Sequence, residues 1–413
     1  MFLKIKLFLV LLIFASCNTE NPTENKIAKA GLDAMEVIKE LPQLLDRGTL
    51  IQNGNEWERV QNQYGKFRQQ IIRNQKPLEA KLNLARLFSQ EARVTGEHGY
   101  YYPAALKLLN DILKPDLEDK DLKFSVLSAK ASVLLSQHEF AKALEIGQEA
   151  LKMNPYNAQI YGVLVDANVE LGHYKKAVEK ADKMVSIRPD LRSYSRVSYL
   201  REIYGRTEGS MEVMKMAVKA GYPGYEETAW TRLQLGNLYQ RYGQMENAKM
   251  QYFKILMERP NYPFAMAALA KMEVQNKNYE KAEKLLKEAC ALIPEVSFYK
   301  QLAQLYFETG RKEEGEKMIP QILSMLKKDI ESGHNVNLLY AAVYADLKKD
   351  YDKAIEYALA EYDRRPENID VNKMLATLYR QKGETVLAKK YLKKAMITNS
   401  KNPALLELRK VLG

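Results

Sequence analysis

The chain has 413 residues, and 28% of them are charged. Its 63 Lys and Arg against 52 Asp and Glu give a formal net charge of +11, a balance that could attract nucleic acid or an anionic membrane. The basic runs, however, lie on the exteriors of predicted helices, as in Lys389-Lys390, or alternate with carboxylates, as between Glu280 and Glu288. We therefore interpret the charge as solvated helix surface. With two cysteines, Cys17 and Cys290, the chain holds no disulfide framework.

A short hydrophobic segment near the start predicts targeting. Two lysines precede an unbroken apolar run from Leu7 to Phe14, far shorter than the ~20 residues needed to span a bilayer. Two small residues then stand directly before Cys17. This pattern resembles the bacterial lipoprotein signal, although Phe14 occupies a position where the motif prefers Leu. The resemblance implies that residues 1–16 are removed and that Cys17 carries lipid; the alternative is an ordinary signal peptide cleaved near Ser16. Either reading predicts export, which argues against a nucleic-acid partner.

The segment that follows is predicted to connect an anchor to a folded body. Residues 17–26 are polar and are interpreted as a tether. Asn18 stands where an Asp retains lipoproteins of enterobacteria in the inner membrane, so the resemblance implies the outer membrane, with the face left open. Residues 27–77 have a helical but irregular pattern, which predicts an N-terminal helical cap.

A period of 34 residues organises most of the remaining chain. Pro155, Pro189 and Pro223 recur at this interval, and so do Pro260 and Pro294. Between the prolines a pattern of small, aromatic and apolar residues returns. Its clearest copy consists of Leu235, Gly236, Tyr239, Gly243, Ala248, Tyr252 and Pro260.

The physical roles of these positions predict two antiparallel helices in each copy. Gly236 and Ala248 are small, so one helix can approach the other closely. Gly243 can adopt the positive φ that ends the first helix and closes the turn. Pro260 stops the second helix, because proline lacks the amide donor and restricts the residue before it.

This unit resembles the tetratricopeptide repeat, a helix–turn–helix of 34 residues. The resemblance covers residues 78–402 and implies an all-α, right-handed α-solenoid of about eight to nine repeats. An insertion around Arg93–Tyr102 is predicted to separate the two helices of the first copy. Residues 403–413 are interpreted as a C-terminal capping helix, which covers the last apolar face of a stacked array.

No residue set indicates catalysis. The four histidines, His98, His138, His173 and His334, form no recognisable metal-ligand motif with other side chains. The sequence contains no phosphate-binding glycine loop and no serine-elbow motif. We therefore predict a protein that is not an enzyme and needs neither a cofactor nor a metal.

The tetratricopeptide resemblance implies that first helices line a concave groove and that a protein or peptide partner binds there. Tyr and Arg, which often anchor interfaces, are frequent in the segment from Tyr194 to Glu202. The groove positions map onto Asp166, Tyr199, Glu202, Asn237, Gln240, Arg241 and Lys271. Tyr100, Tyr101 and Tyr102, together with Trp230, are an alternative platform for stacking a glycan or peptide. The competing interpretation is that the three tyrosines only cover the edge of the first repeat.

The sequence thus predicts a lipid-anchored, non-enzymatic scaffold that binds proteins in the bacterial cell envelope. Its membrane attachment would be the lipid on Cys17. Two alternatives remain at this level: a glycan- or peptide-binding envelope lipoprotein, and a helper of envelope assembly or secretion.

Overall fold

The computed structural model describes residues 39–114 and 117–413, and the predicted signal segment, Cys17 and the tether lie outside them. An extended stretch and a 3-10 turn, Thr49–Ile51, precede twenty α-helices in the described residues. The helices are α1 (Glu56–Ile72), α2 (Pro77–Thr95), α3 (His98–Leu113), α4 (Lys120–Ser136), α5 (Phe140–Met153), α6 (Ala158–Glu170), α7 (Tyr174–Ile187), α8 (Leu191–Ile203), α9 (Thr207–Ala220), α10 (Glu226–Arg241), α11 (Met245–Glu258), α12 (Pro263–Gln275), α13 (Tyr279–Leu292), α14 (Val296–Glu308), α15 (Lys312–Glu331), α16 (Asn337–Val343), α17 (Tyr351–Arg364), α18 (Ile369–Gln381), α19 (Thr385–Ala395) and α20 (Pro403–Leu412). A π-helical turn, Tyr344–Lys348, continues α16.

The predicted all-α repeat solenoid is confirmed. Helices α2 to α19 form nine consecutive pairs, which we number as repeats one to nine, and the two helices of each pair pack on each other. Helix α1 packs on the first repeat, and α20 packs on the ninth. Each repeat therefore buries its apolar face mainly against its neighbours in the chain.

The clearest copy, repeat five, packs as its small residues predict. A Cβ on Gly236 would lie 2.4 Å from Cε1 of Tyr252, so only glycine allows that ring to cross the first helix. The Tyr252 hydroxyl is 2.9 Å from Asn237 Oδ1, which fixes the ring in place. Gly243 has φ of 80° and ends the first helix. The close approach of α10 and α11 is thus a consequence of residue size.

The predicted insertion around Arg93–Tyr102 is wrong. Helix α2 continues to Thr95, and α3 begins at His98 after a turn of two residues. Gly96 has φ of 74°, the left-handed conformation that lets a helix end abruptly, and its amide donates to Ala92 O. The residues of the predicted insertion therefore belong to the end of α2, a two-residue turn and the start of α3.

First helices form the inner row of the array and second helices the outer row. Successive first helices contact each other along the solenoid, whereas contacts between successive second helices are weaker. In a curved array the more crowded row lies on the inside of the curve. The inner face is therefore lined by the first helices, α2, α4, α6 and their successors.

The solenoid coils so tightly that its second superhelical turn rests on the first. Gln137 Nε2 donates to Ser332 O at 3.0 Å, and these residues are 195 positions apart. Ile369 N donates to the Tyr174 hydroxyl at 2.8 Å, again across 195 positions. This separation corresponds to between five and six repeats for each superhelical turn.

The same kind of contact recurs along this boundary. The turns between the two helices of repeats one, two, three and four meet the connections that follow repeats six, seven, eight and nine, respectively. In repeat four, for example, Gly205 approaches Asn399 O. We call this edge-to-edge contact the seam. Because the seam closes the gap between successive turns, the inner face bounds a lumen along the superhelix axis.

The N-terminal segment is tied into the seam by buried charges. Arg47, whose side chain is fully buried, lies 2.6 Å from a carboxylate oxygen of Glu91 and 2.7 Å from one of Glu56. Glu56 also lies 2.6 Å from Arg259, which follows the second helix of repeat five. This network of two arginines and two glutamates joins the start of the described chain to the connection that follows repeat five.

Candidate binding surface in the lumen

Four of the predicted groove residues occupy one structural position in successive repeats. Asp166, Tyr199, Asn237 and Lys271 each stand six residues before the residue of positive φ that ends their first helix. That position faces inward, so the four side chains form a row along the lumen. The structure thus brings together residues that lie on four separate helices.

Ion pairs between neighbouring first helices hold the charged members of this surface. Asp166 on α6 lies 2.6 Å from Arg196 on α8. Glu202 on α8 pairs with Arg241 on α10 in the same way. Glu202 is 7% exposed, so its charge is satisfied inside the protein. Among the predicted residues, Asp166, Glu202 and Arg241 therefore stabilise the array as well as line it.

The amide residues of repeat five are also engaged. Asn237 Oδ1 and Gln240 Oε1 lie 2.9 and 3.1 Å from the Tyr252 hydroxyl, which donates its one proton to either of them. Tyr199 and Lys271 are exposed on the inner face. These two are the predicted residues best placed to contact a partner.

Tyr199 reports how enclosed the lumen is. Its side chain is 37% exposed, yet burial, followed by the charges of Asp370 and Glu170, raises its pKa well above the usual value. Asp370 begins α18, one superhelical turn further on. A phenol that water reaches but protein surrounds lies in a narrow, solvent-filled space, not on an open surface.

The number of repeats for each turn sets the width of the lumen. Five to six first helices about 10 Å apart form a ring of radius about 9 Å, and the helices themselves occupy about 5 Å of it. The free radius is therefore about 4 Å, which accommodates an extended polypeptide but not an α-helix about 10 Å across.

A recess of about 400 Å³ opens in the lumen wall where the second and third repeats meet the eighth. Its walls combine apolar and charged side chains: Leu135, Ser136, His138, Phe140, Asp166, Glu170, Asn335, Val336, Leu338, Leu339, Glu361 and Arg365. Arg365 pairs with both Glu361 and Glu170. Burial raises the pKa of Glu170, although the charge of Arg365 opposes that effect. The charges of the recess are thus largely matched within the seam.

The tyrosine platform predicted as an alternative site is wrong. Tyr101 is fully buried and Tyr102 is 4% exposed, because both belong to the hydrophobic core of the first repeat. The hydroxyls of Tyr100 and Tyr101 accept hydrogen bonds from Gln43 N and Leu45 N, at 2.8 and 3.0 Å. These tyrosines therefore hold the N-terminal segment against the first repeat.

Trp230 stands apart from that cluster. It is 44% exposed and packs edge-to-face on Phe264, with ring centroids 5.5 Å apart. This contact links the first helices of repeats five and six. Trp230 belongs to the aromatic packing of the inner row and not to a platform shared with the three tyrosines.

Neither a metal site nor a membrane span is found in the parts of the chain that the structure describes. In residues 39–114 and 117–413 no three His, Cys, Asp or Glu side chains are grouped to hold a metal ion. Within the same ranges no helix is long and apolar enough to cross a bilayer.

Comparison with known proteins agrees with the repeat architecture. Residues 134–201 match the tetratricopeptide repeat family model. A curated relative, tetratricopeptide repeat protein 21B of Xenopus laevis, is 26% identical over 302 residues, which cover 65% of this chain and 22% of that protein. The matched chain thus spans about a fifth of that relative. The family match agrees with the helix pairs that the structure shows in that segment.

Several solved structures are similar at low identity. Cut9-Hcn1, an APC/C hetero-tetramer, is 16% identical with a TM-score of 0.44, over 94% of this chain and 81% of that chain. Human IFIT1 bound to m7Gppp-AAAA is 14% identical with a TM-score of 0.48, over 92% and 96%. Pseudomonas aeruginosa pilF is 15% identical with a TM-score of 0.41, over 50% and 92%.

Proposed function

We propose that this protein is a non-enzymatic scaffold that holds an extended segment of a protein partner in its lumen. The observation that carries the proposal is the row of side chains at one position of successive first helices. The general spacing of packed helices gives the lumen that they line a free radius of about 4 Å. Tyr199 and Lys271 contribute an aromatic ring and a cation to that row, and both are exposed. Side chains of this kind are common anchors or charge partners in interfaces.

The proposal includes anchoring to the bacterial cell envelope. Its support is the sequence from Leu7 to Cys17, which resembles a lipoprotein signal. Lipid on Cys17 would hold the scaffold at a membrane, at ~0.8 kcal/mol for each buried CH₂. Asn18 after the cysteine favours the outer membrane. The lumen would then present a partner segment at the membrane surface.

Cross-linking in intact cells tests the binding surface. A Tyr199→Ala, Lys271→Ala variant is expected to lose a discrete protein partner that wild type captures. Neither side chain is buried, so helix content should be unchanged. Tyr156→Ala is the matched control, because Tyr156 is 79% exposed in the connection between repeats two and three. Equal capture by wild type and the lumen variant would refute the placement of the partner.

Mass spectrometry of the purified protein tests the anchor. Wild type should begin at Cys17 with added acyl chains, and Cys17→Ala should lose both the lipid and the membrane fractionation. The array should fold in both forms, because Cys17 lies outside the repeats. A variant that still partitions with membranes would contradict the anchor while leaving the lumen proposal intact.

A further inference from the structure

Three of the four histidines of the chain meet at one place in the seam. The ring of His98, in the first turn of α3, is 6.0 Å from the ring of His334, in the connection after α15. Both rings pack on Tyr102, at 5.5 Å each. His138, in the turn of repeat two, reaches Asn335 O with its Nδ1 at 2.7 Å. The contacts of His334 with His98 and Tyr102, and that of His138 with Asn335, join the first superhelical turn to the second.

The carboxylates near these histidines act on them only at a distance, Glu295 on His98 and Glu361 on His138. No ion pair of the described residues includes His98, His138 or His334. His334 is 8% exposed, and its Nε2 has no hydrogen-bond partner within the ranges that the structure describes. If His98 and His334 were both protonated, two positive charges would face each other across the seam, on rings whose centroids are 6.0 Å apart. The closed seam therefore disfavours protonation of both rings together.

We propose that the seam is a proton-operated latch: protonation of the histidine cluster separates the two superhelical turns and opens the lumen along its side. The repeats themselves stay folded, because each packs on its neighbours through apolar contacts that hold no histidine. The latch acts on access to the lumen and does not depend on which partner the lumen holds.

The surroundings of the cluster favour neutral rings. Burial, then the neighbouring His98 and His138, lowers the pKa of His334 to about 4. Burial also lowers the pKa of His98, with Glu295 opposing and His138 adding to the effect. Although His138 is partly exposed, burial by the surrounding protein and the charge of Arg365 lower its pKa. The hydrogen bond to Asn335 and the charge of Glu361 act in the opposite direction.

Two acidic residues lie beside the cluster: Asp329, whose backbone carbonyl accepts from His334 N, and Glu295, whose charge acts on His98. Asp329, on α15, has its pKa raised to about 6 by burial and by the charge of Glu295, which precedes α14. Arg93 and Glu226 are the further charges beside Tyr102. As pH falls, Asp329 therefore loses its negative charge before His334 gains a proton, and it cannot neutralise that proton's charge.

Linkage gives the direction and size of the effect. At pH 5 a histidine whose pKa is about 4 in the closed seam and 6.5 in the open one shifts the equilibrium about 30-fold toward opening. Asp329, at about 6 closed and 3.8 open, opposes this about tenfold. His98 and His138 act in the same direction as His334. Together the three histidines favour the open form as pH falls, and Asp329 opposes them.

Sedimentation velocity and small-angle scattering of the full chain, from about pH 7.5 to about pH 4.5, test the latch, with helix content followed by circular dichroism. Wild type is expected to lose compactness on acidification while helix content stays constant. A His98→Gln, His334→Gln variant should stay compact over the same range. His173→Gln is the control, since His173 is exposed in the turn of repeat three, outside the cluster.

Asp329→Asn provides a second, independent arm. It removes the opposing effect of Asp329 and should raise the pH at which half of the molecules are open by about 0.5 unit or more. This arm also decides the matter if the double histidine variant fails to fold at neutral pH. Constant compactness of wild type, an unchanged midpoint in Asp329→Asn, or loss of helix content together with expansion would each overturn the proposal.

Discussion

Glu170 accepts a hydrogen bond from the guanidinium of Arg365, which lies 195 residues later in the chain and one superhelical turn further on. Arg365 also binds Glu361, whose side chain is 3% exposed. One buried arginine therefore serves two carboxylates, one on each side of the seam. This relationship makes the closure of the superhelix testable by single substitutions.

Arg365→Met is expected to destabilise the protein by about 3 kcal/mol, because it leaves Glu361 buried without its cation. The variant should also sediment more slowly, since the seam loses its link to Glu170. Urea unfolding measures the first effect. Arg188→Met is the control, because Arg188 is 71% exposed and pairs only with nearby Asp190, so a change within about 0.5 kcal/mol is expected there. Equal effects of the two substitutions would contradict the role of Arg365.

Arg47→Met is expected to cost about 3–5 kcal/mol, because Glu91 would remain buried without its cation, whereas Glu56 would keep Arg259. The N-terminal segment should detach from the first repeat before the array unfolds, since Arg47 holds it there. Hydrogen exchange of residues 41–56 measures this detachment. Unchanged protection of that segment would show that Tyr100 and Tyr101 hold it without the charges.

Gly236→Ala and Gly65→Ala are expected to change the free energy of unfolding in opposite directions. A methyl group on Gly236 meets the Tyr252 ring at 2.4 Å and should destabilise by about 1–3 kcal/mol. Gly65 lies inside α1 with nothing within 4 Å of a built Cβ, so alanine should stabilise by about 0.5–1 kcal/mol. Thermal unfolding of the two variants side by side checks both. A destabilising Gly65→Ala would mean that α1 packs differently from the structure.

Cys290 is expected to react slowly with thiol reagents in the folded protein. Its side chain is half-buried beside the core of repeat six, and burial raises the pKa of the thiol to about 12. At pH 8 this lowers the thiolate fraction about 1000-fold relative to a thiol of pKa 9. In a Cys17→Ala chain, in which Cys290 is the remaining cysteine, unfolding in urea should accelerate the labelling of Cys290 at least about 100-fold. Equal rates in both conditions would place the thiol in an open environment.

The lumen residues show that the repeat pattern predicts position along the array, while their role in binding stays a prediction. Asp166, Tyr199, Asn237 and Lys271 were mapped from repeat positions, and the structure places them at one register of successive first helices. Their pairing was not predictable, because Arg196 contacts Asp166 from the next repeat through a rotamer that no spacing fixes. Glu170 and Arg365 were missed altogether, since no pattern connects positions 195 residues apart.

The sequence by itself determined the repeat unit. The period of 34 residues, the small residue at Gly236 and the turn at Gly243 follow from local geometry, which every repeat must satisfy alone. The tertiary structure decided how the repeats add up. A small rotation between neighbours accumulates over five to six repeats until the turn at Gln137 meets Ser332, and no local pattern encodes that sum. The same closure buries Tyr102 and brings His98 to His334, so the lumen and the histidine cluster exist only in the folded superhelix.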